Sequence, residues 1–214
     1  MSAPTLASNA LTTQQRVQDV LGLKSAEGRS LINLASDYIE KRCGRSFGIA
    51  SLAETVAGYG TSRIVIARPP IKSITSITFN STDTVDSTTY TIDDADAGLI
   101  QRDGGWRWTA HIMPDISGGH VPGTELKQYT VTYIGGYILP KDSESSASPI
   151  NGDARDLPYD IEEACLVLIG QMSRMRSRDP SITNESLMSY SSAYSDTPIP
   201  SFVERVINAY RFRQ

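Results

Sequence analysis

The sequence has few of the residues from which metal sites and nucleophilic active sites are usually built. Its 214 residues include two cysteines and two histidines, and no G-x-S-x-G segment occurs. Cys43 and Cys165 lie far apart and without C-x-x-C spacing, so we expect two buried free thiols rather than a disulfide. Neither His111 nor His120 has a second ligand at zinc spacing. The sequence therefore predicts no metal ion, no cofactor and no catalytic residue, and thus a protein that is not an enzyme.

Long hydrophobic runs and a strong charge of one sign are also missing. The longest apolar run lies near residues 166–170, far below the roughly 20 residues that span a bilayer. The N-terminus lacks a basic start followed by an apolar block, so we expect no signal peptide and a protein made in a cytoplasm. The net charge of −4 argues against a protein that coats DNA.

Helical patterns are present at both ends of the chain. Residues 1–10 have no helical period and predict an extended arm. Thr12 then precedes a short helix, with Gln15 three positions later as in a capping box. A second helix is predicted from a cap at Ser25 to a glycine stop at Gly44. A third begins at Pro158, and a final helix is predicted over 200–213, after an extended polar tail over 180–197.

The middle of the chain changes from helical spacing to alternation of apolar and polar residues. Such alternation indicates strands that bury one face, and glycine and aspartate clusters between them indicate turns. We expect about five or six antiparallel strands here. The predicted strands are the candidate 63–67 and the alternating segments 77–79, 90–92, 106–112 and 129–133.

These patterns predict an α+β fold, a small bundle of about four helices with an inserted antiparallel β subdomain and extended terminal arms. The two helical parts must pack together, since neither has a core of its own. The predicted organisation has an arm and two helices in 1–52, the β subdomain in 53–137, a loop in 138–157, and the third helix, the tail and the C-terminal helix in 158–214.

Two tryptophans in the β subdomain have two interpretations. Trp106 and Trp108 share one face of a predicted strand, where the simpler interpretation is a buried core. Arg102 and Arg107 nearby would instead suit a platform on which nucleic-acid bases stack.

Five short motifs follow one another along most of the chain. They are Gly44-Arg45-Ser46-Phe47, Arg68-Pro69-Pro70-Ile71-Lys72-Ser73-Ile74, Tyr133-Ile134-Gly135-Gly136-Tyr137 with Pro140, Asp156-Leu157-Pro158-Tyr159-Asp160 with Ala164, and Tyr210-Arg211 in the final helix. Taken in this order, which is more specific than any one of them, they resemble the head–tail connector family of tailed bacteriophages, whose members are also called portal adaptors or head-completion proteins. The tail departs from the family pattern at Leu187-Met188-Ser189-Tyr190, where a Gly-Asp turn is common.

The resemblance implies a structural virion protein located in the neck, assembled in the host cytoplasm and not bound to a membrane. It implies a homo-oligomeric ring, a dodecamer, between the portal protein and a downstream tail or stopper protein. DNA would pass through the channel of this ring without specific binding, which the modest acidic charge permits.

The C-terminal region is the predicted partner contact, because tyrosine and arginine are favoured at binding hot spots and a tethered amphipathic helix suits a groove. The helix would alternatively complete the chain's own bundle. The predicted contact residues are Tyr190, Tyr194, Phe202, Val203, Ile207, Tyr210, Arg211 and Phe212.

Other classes of protein fit the sequence less well. A tail terminator or baseplate subunit would be dominated by β structure, which the predicted helices oppose. A DNA-binding accessory protein would need a basic face. An enzyme such as a small hydrolase would need converging ionisable groups, which the sequence does not reveal.

Overall fold

The α+β fold that the sequence predicts is confirmed. The computed structural model describes residues 4–80, 82–107, 128–140, 155–177, 184–187, 190–193 and 199–211, and only the backbone of residues 25, 177, 184–187 and 190–193. The α-helices in these ranges are α1 (Gln14–Leu21), α2 (Ser25–Cys43), α3 (Tyr159–Ser177) and α4 (Ser201–Tyr210). The strands are β1 (Ala50–Val56), β2 (Arg63–Val65), β3 (Ile71–Phe79), β4 (Asp83–Thr84), β5 (Tyr90–Asp94), β6 (Leu99–Arg102), β7 (Tyr129–Gly135), β8 (Asn184–Leu187) and β9 (Tyr190–Ala193), with a 3₁₀ turn at Ser87–Thr89.

The chain forms two compact units. The helical unit combines Met1–Gly48 with Tyr137–Gln214, and the β unit is Ile49–Gly136. The chain therefore leaves the helical unit once, builds the β unit, and returns to finish the helices. No helix in the described ranges is long and apolar enough to cross a membrane.

The helical unit is built around α2 and α3, which pack against each other and against α4. Its buried core draws on all four helices and on the segments that flank them. Each of the first two helices ends at a glycine in the left-handed region, Gly22 at φ 66° and Gly44 at φ 68°, where other residues are strained. The core residues include Leu11, Val17, Leu31, Ile32, Ala35, Ile39, Phe47, Leu139, Ile161, Cys165, Ile169, Val203 and Ile207.

The N-terminal arm lies on the helical unit. Ala10 and Leu11 are fully buried, and the backbone N–H of Ala7 donates to Asn33 Oδ1 at 2.9 Å. Asn33 Nδ2 in turn donates to the carbonyl of Thr5 at 2.9 Å. One side-chain amide of α2 thus pairs with the arm as a neighbouring strand would, satisfying a donor and an acceptor of the arm.

The predicted cap of α1 is wrong by one residue. The N-cap is Thr13, whose hydroxyl oxygen accepts the N–H of Arg16 at 3.2 Å. Thr12 is fully buried, and its hydroxyl donates to Glu162 Oε1 on α3 at 3.1 Å. The predicted cap at Ser25 is also absent, because α2 begins at Ser25 and its N-cap position is Lys24, without a side-chain cap bond.

The β unit contains two antiparallel sheets. One has the strand order β1-β7-β3-β4 and the other β2-β6-β5. Strand β7 alternates buried and half-buried residues, and its buried side chains Tyr129, Val131 and Tyr133 centre the core of this unit. The described strands of the β unit outnumber the predicted segments, because β1, β4 and β6 lie outside them, whereas β2 lies within the predicted segment 63–67.

Only one of the two tryptophans lies within the described residues. Trp106 is fully buried, and its indole N–H donates to the carbonyl of Ser62 at 3.1 Å. Its ring meets that of Tyr129 edge to face, with ring centroids 5.1 Å apart. The core interpretation of Trp106 is therefore confirmed, although it follows a turn rather than lying in the predicted strand. Trp108 lies outside the described residues.

Candidate assembly surface

The final helix, which carries most of the predicted partner contacts, packs on the chain's own core. Val203 and Ile207 are 0% and 4% exposed, and the Cys43 thiol of α2 lies 3.8 Å from the carbonyl oxygen of Ile207. The apolar stripe of α4 is therefore covered by α2 and α3. Phe202 and Tyr210 are half-buried and Arg211 is exposed, so the accessible part of α4 is its outer side and its C-terminal end.

The remaining predicted contacts lie in or near the tail. Tyr190 is the first residue of β9, where only the backbone is described. Tyr194 and Phe212 lie outside the described residues. These three stay predictions.

An aromatic cluster surrounds the C-terminal end of α4. The ring of Phe47 lies 6.4 Å from that of Tyr137 and 6.3 Å from that of Tyr210, centroid to centroid. The guanidinium carbon of Arg45 lies 5.1 Å from the centroid of the Phe47 ring, within the range of a cation–π contact. We call Arg45, Phe47, Tyr137 and Tyr210 the aromatic corner.

The turn after α2 positions the first half of the aromatic corner. Gly44 adopts the left-handed conformation that ends the helix. The carboxylate of Glu40 then accepts the N–H of Phe47 at 2.8 Å and the Nδ2 of Asn9 at 2.8 Å. One side chain of α2 thus fixes both the turn and the N-terminal arm.

A tyrosine–aspartate hydrogen bond fixes the other half. The Tyr210 hydroxyl donates to Asp160 Oδ1, in the first turn of α3, at 3.0 Å. Burial, followed by this hydrogen bond and the charge of Asp160, raises the pKa of Tyr210 to about 12. The phenol is therefore protonated at neutral pH and donates the bond that ties the end of α4 to the start of α3.

The aromatic corner unites residues from motifs that are far apart in the sequence. Arg45 and Phe47 come from the motif that closes α2, and Tyr137 comes from the one that ends the β unit. Asp160 belongs to the motif that opens α3, and Tyr210 to the final one. The sequence supplied these residues as motif members, but only the fold reveals that they form one cluster.

The surface next to the aromatic corner is open and of mixed charge. A depression of about 430 Å³ is lined by Asp37, Glu40, Lys41, Gly44, Arg45 and Ser46. Lys41 and Asp37, one turn apart on α2, form an ion pair at 2.7 Å, and both side chains are exposed. An open, charged surface of this kind is better suited to contact with a protein than to a small substrate, because small molecules usually bind in pockets that enclose them.

The described part of the chain shows no arrangement for metal binding. No group of three or more histidine, cysteine, aspartate or glutamate side chains converges there. Cys43 and Cys165 are free and buried, as the sequence predicts. Burial raises the pKa of Cys43 to about 11 and that of Cys165 to about 12, so both thiols are poor nucleophiles at neutral pH. His111 and His120 lie outside the described residues.

No protein-family model matches the chain, and no curated protein matches its sequence. Its fold is similar to chains of solved gene transfer agent particles. One lies in the neck of the empty particle, determined with C6 symmetry, with a TM-score of 0.56. Another lies in the neck of the native particle, determined with C12 symmetry, with a TM-score of 0.54, and a third lies in the native virion, with a TM-score of 0.52. Each is 14% identical, and each match covers 100% of this chain and 95% of the other. At this identity the likeness shows the fold.

Proposed function

We propose that this protein is a head–tail connector, a structural virion protein that forms a ring in the neck of a tailed phage or phage-like particle. The observation that carries the proposal is the likeness of its whole fold to chains from the necks of gene transfer agent particles, over 100% of this chain and 95% of theirs. The five motifs that resemble connector proteins support it independently, because they rest on sequence rather than on the fold.

The symmetry of the similar particles supports a ring of twelve copies. One neck was determined with C12 symmetry and another with C6, and a twelve-membered ring is compatible with both. Identical subunits close into such a ring through heterologous interfaces, in which one surface meets a different surface of the next copy.

The partners we propose are the portal protein above the ring and a tail or stopper protein below it. The aromatic corner and the exposed Arg211 are the surface we assign to one of these contacts, since tyrosine and arginine dominate binding hot spots. Val203 and Ile207 support this surface indirectly, because their buried side chains hold α4 against the helical core.

DNA would pass through the ring without specific binding, and the protein would act through its surfaces rather than as an enzyme. The chain has 20 basic and 24 acidic residues, so it lacks the basic excess that would retain a passing phosphate backbone. The burial of Trp106 also removes half of the platform on which bases would stack.

The test is to locate the protein in particles and to remove it. A tagged chain should appear at the head–tail junction in electron micrographs of purified particles. Disruption of its gene should leave heads and tails unjoined, and the wild-type gene supplied in trans should restore joined particles. Joined, infectious particles made without the protein would refute the proposal.

A further inference from the structure

Strand β1 has an open outer edge. It lies at one end of its sheet and pairs with β7 over its whole length, Ala50–Val56, without a register shift. Within the ranges that the structure describes, no backbone hydrogen bond other than those to β7 involves these residues. The N–H and C=O groups on the far side of β1 therefore form a template for a further strand.

The other sheet edges of the β unit are protected against strand addition. Strand β2 has three residues and β4 has two, and the part of β3 that extends beyond β4 is interrupted by two register shifts. Strand β5 has a register shift between Ile92 and Asp94 and carries two adjacent acidic residues, Asp93 and Asp94. Short edges, irregularities and charges are the means by which natural sheets avoid unwanted pairing.

Strand β1 has none of these protections. Its sequence, Ala-Ser-Leu-Ala-Glu-Thr-Val, contains no lysine, arginine or proline. Its single charged side chain, Glu54, is engaged on the sheet, where it accepts the N–H of Ala67 at 2.9 Å and the Tyr133 hydroxyl at 2.9 Å. The longest of the strands at the ends of the two sheets is thus also the one with an open and regular edge.

The helical unit carries a second β element with unpaired edges. Strands β8 and β9 have four residues each and, in the described parts of the chain, pair only with each other. A two-stranded hairpin alone is at best marginally stable in water, so it gains from joining a larger sheet. Strand β9, Tyr190–Ala193, carries no charge, whereas β8 contains Glu185.

We propose that β9 of one copy adds to the open edge of β1 in the neighbouring copy, so that the hairpin extends the four-stranded sheet across the subunit boundary. The inference rests on the proposed function, because it identifies a contact within the ring. An added strand binds through main-chain hydrogen bonds, and these bonds require a strand edge that is regular and unpaired.

A second copy is the occupant that the geometry favours over a foreign protein. Each chain carries one open β1 edge and one β9 edge, so a closed ring pairs every β1 edge with a β9 edge. The two edges are different surfaces, as the heterologous interface of a ring requires.

Cysteine cross-linking tests the contact. The native thiols give little background, because both are buried and their pKa values are raised to about 11 and about 12. One set of chains carries a cysteine on the exposed face of β1, and a second set carries one in β9. The variants of the first set are Ser51→Cys, Ala53→Cys and Thr55→Cys, and those of the second are Ser191→Cys and Ser192→Cys.

Particles are assembled from a mixture of one β1 variant and one β9 variant and are then mildly oxidised. They should contain a disulfide-linked dimer of these two variants. At least one combination should react, because facing side chains on paired strands lie about 5 Å apart. The matched control is Thr91→Cys, an exposed position on the protected edge strand β5, which should give no dimer with either β9 variant.

Three results would overturn the inference. The first is assembled particles without a cross-link in any combination. The second is a chain carrying both a β1 and a β9 cysteine that forms a disulfide only within itself. The third is a β1 cysteine that reacts only with a different protein. The wild-type chain is first located in the same particles. Its absence from the neck would refute the proposed function itself, and its presence without a cross-link would refute only the strand contact.

A charge on the open edge gives a second readout. Ala53→Lys should leave the protein folded, because the side chain is exposed, but should sharply reduce incorporation into particles. Thr91→Lys, which adds the same charge to β5, should incorporate as the wild type does. Equal incorporation of both variants would overturn the inference.

Discussion

At the scale of single residues, the β unit depends on one tryptophan. The Trp106 ring packs edge to face on Tyr129, while Arg102 lies 5.5 Å from its centroid. Its indole N–H is bonded to a carbonyl, so the side chain is both fully buried and fully satisfied. Its loss would remove packing and a hydrogen bond together.

We therefore expect Trp106→Ala to lower the free energy of unfolding by about 3–5 kcal/mol. Trp106→Phe should cost less, since it keeps most of the packing, and Thr91→Ala at an exposed strand position should change stability by less than about 0.5 kcal/mol. Denaturant unfolding of the three variants measures these differences. An unchanged midpoint for Trp106→Ala, with loss of DNA affinity, would instead support base stacking.

Tyr210 gives a prediction on pH. Its pKa is raised from 10 to about 12, so between these values the unfolded chain loses the phenol proton while the folded chain keeps it. The unfolded state then binds fewer protons, and stability falls as the pH rises through this window. Tyr210→Phe should cost about 0.5–1 kcal/mol at neutral pH, through the lost bond to Asp160, and should melt with a weaker alkaline dependence. Equal alkaline slopes in thermal melts of the two proteins would contradict this.

Single residues also show where local sequence patterns stop being informative. The pattern around Thr12 correctly predicts that a helix begins nearby, but the cap is Thr13. The hydroxyl of Thr12 instead donates a hydrogen bond to Glu162, 150 positions away, and Glu162 also forms an ion pair with Arg155. No local rule can foresee a partner at that separation, so buried polar contacts of this kind had to come from the fold.

At the scale of elements, strong periodicity gave reliable predictions and short or polar segments did not. The sequence predicts the third helix from residue 158, and the helix begins at Tyr159. It predicts the final helix over 200–213, and that helix spans Ser201–Tyr210. For the β8–β9 hairpin it predicts only an extended tail, because the polar residues there do not alternate with apolar ones. The aromatic corner was likewise out of reach, since its members are brought together by packing.

The packing of α4 leads to a prediction about truncation. Removal of residues 198–214 would uncover the part of the core that Val203, Val206 and Ile207 cover. We expect the shortened chain to be insoluble or to melt much earlier than the full chain. A soluble, normally melting truncated chain that fails to join portal-bearing heads would favour the hypothesis that α4 is primarily a docking helix.

A point substitution checks the same element without shortening the chain. Ile207→Asp places a charge in the core and should cost more than about 3 kcal/mol. Asn208→Asp, one position along on the exposed side of α4, should be nearly neutral. Equal stability of the two variants, measured by denaturant unfolding, would show that α4 does not rest on the core.

At the scale of the whole molecule, the interfaces that would close a ring are polar or small. The open β1 edge offers main-chain groups rather than a large apolar face, and the depression beside the aromatic corner is charged and open. Obligate oligomers usually bury extensive apolar surface, which would otherwise be exposed in the monomer. The large apolar side chains of the described residues are mostly packed inside the two cores.

We accordingly expect the isolated protein to be largely monomeric, or a mixture of small species, and to close its ring only on the portal. A portal that is itself a ring holds neighbouring copies at a fixed spacing, which raises their effective concentration and makes weak subunit contacts sufficient. Analytical ultracentrifugation of the purified chain at micromolar concentration should therefore show little ring, and addition of portal-bearing heads should recruit it. Ala53→Lys is the matched variant, because it should remain monomeric alone and also fail to fill the ring on the portal. A stable closed ring formed by the purified wild-type chain without any portal would contradict this prediction, because it would show that the subunit contacts suffice by themselves.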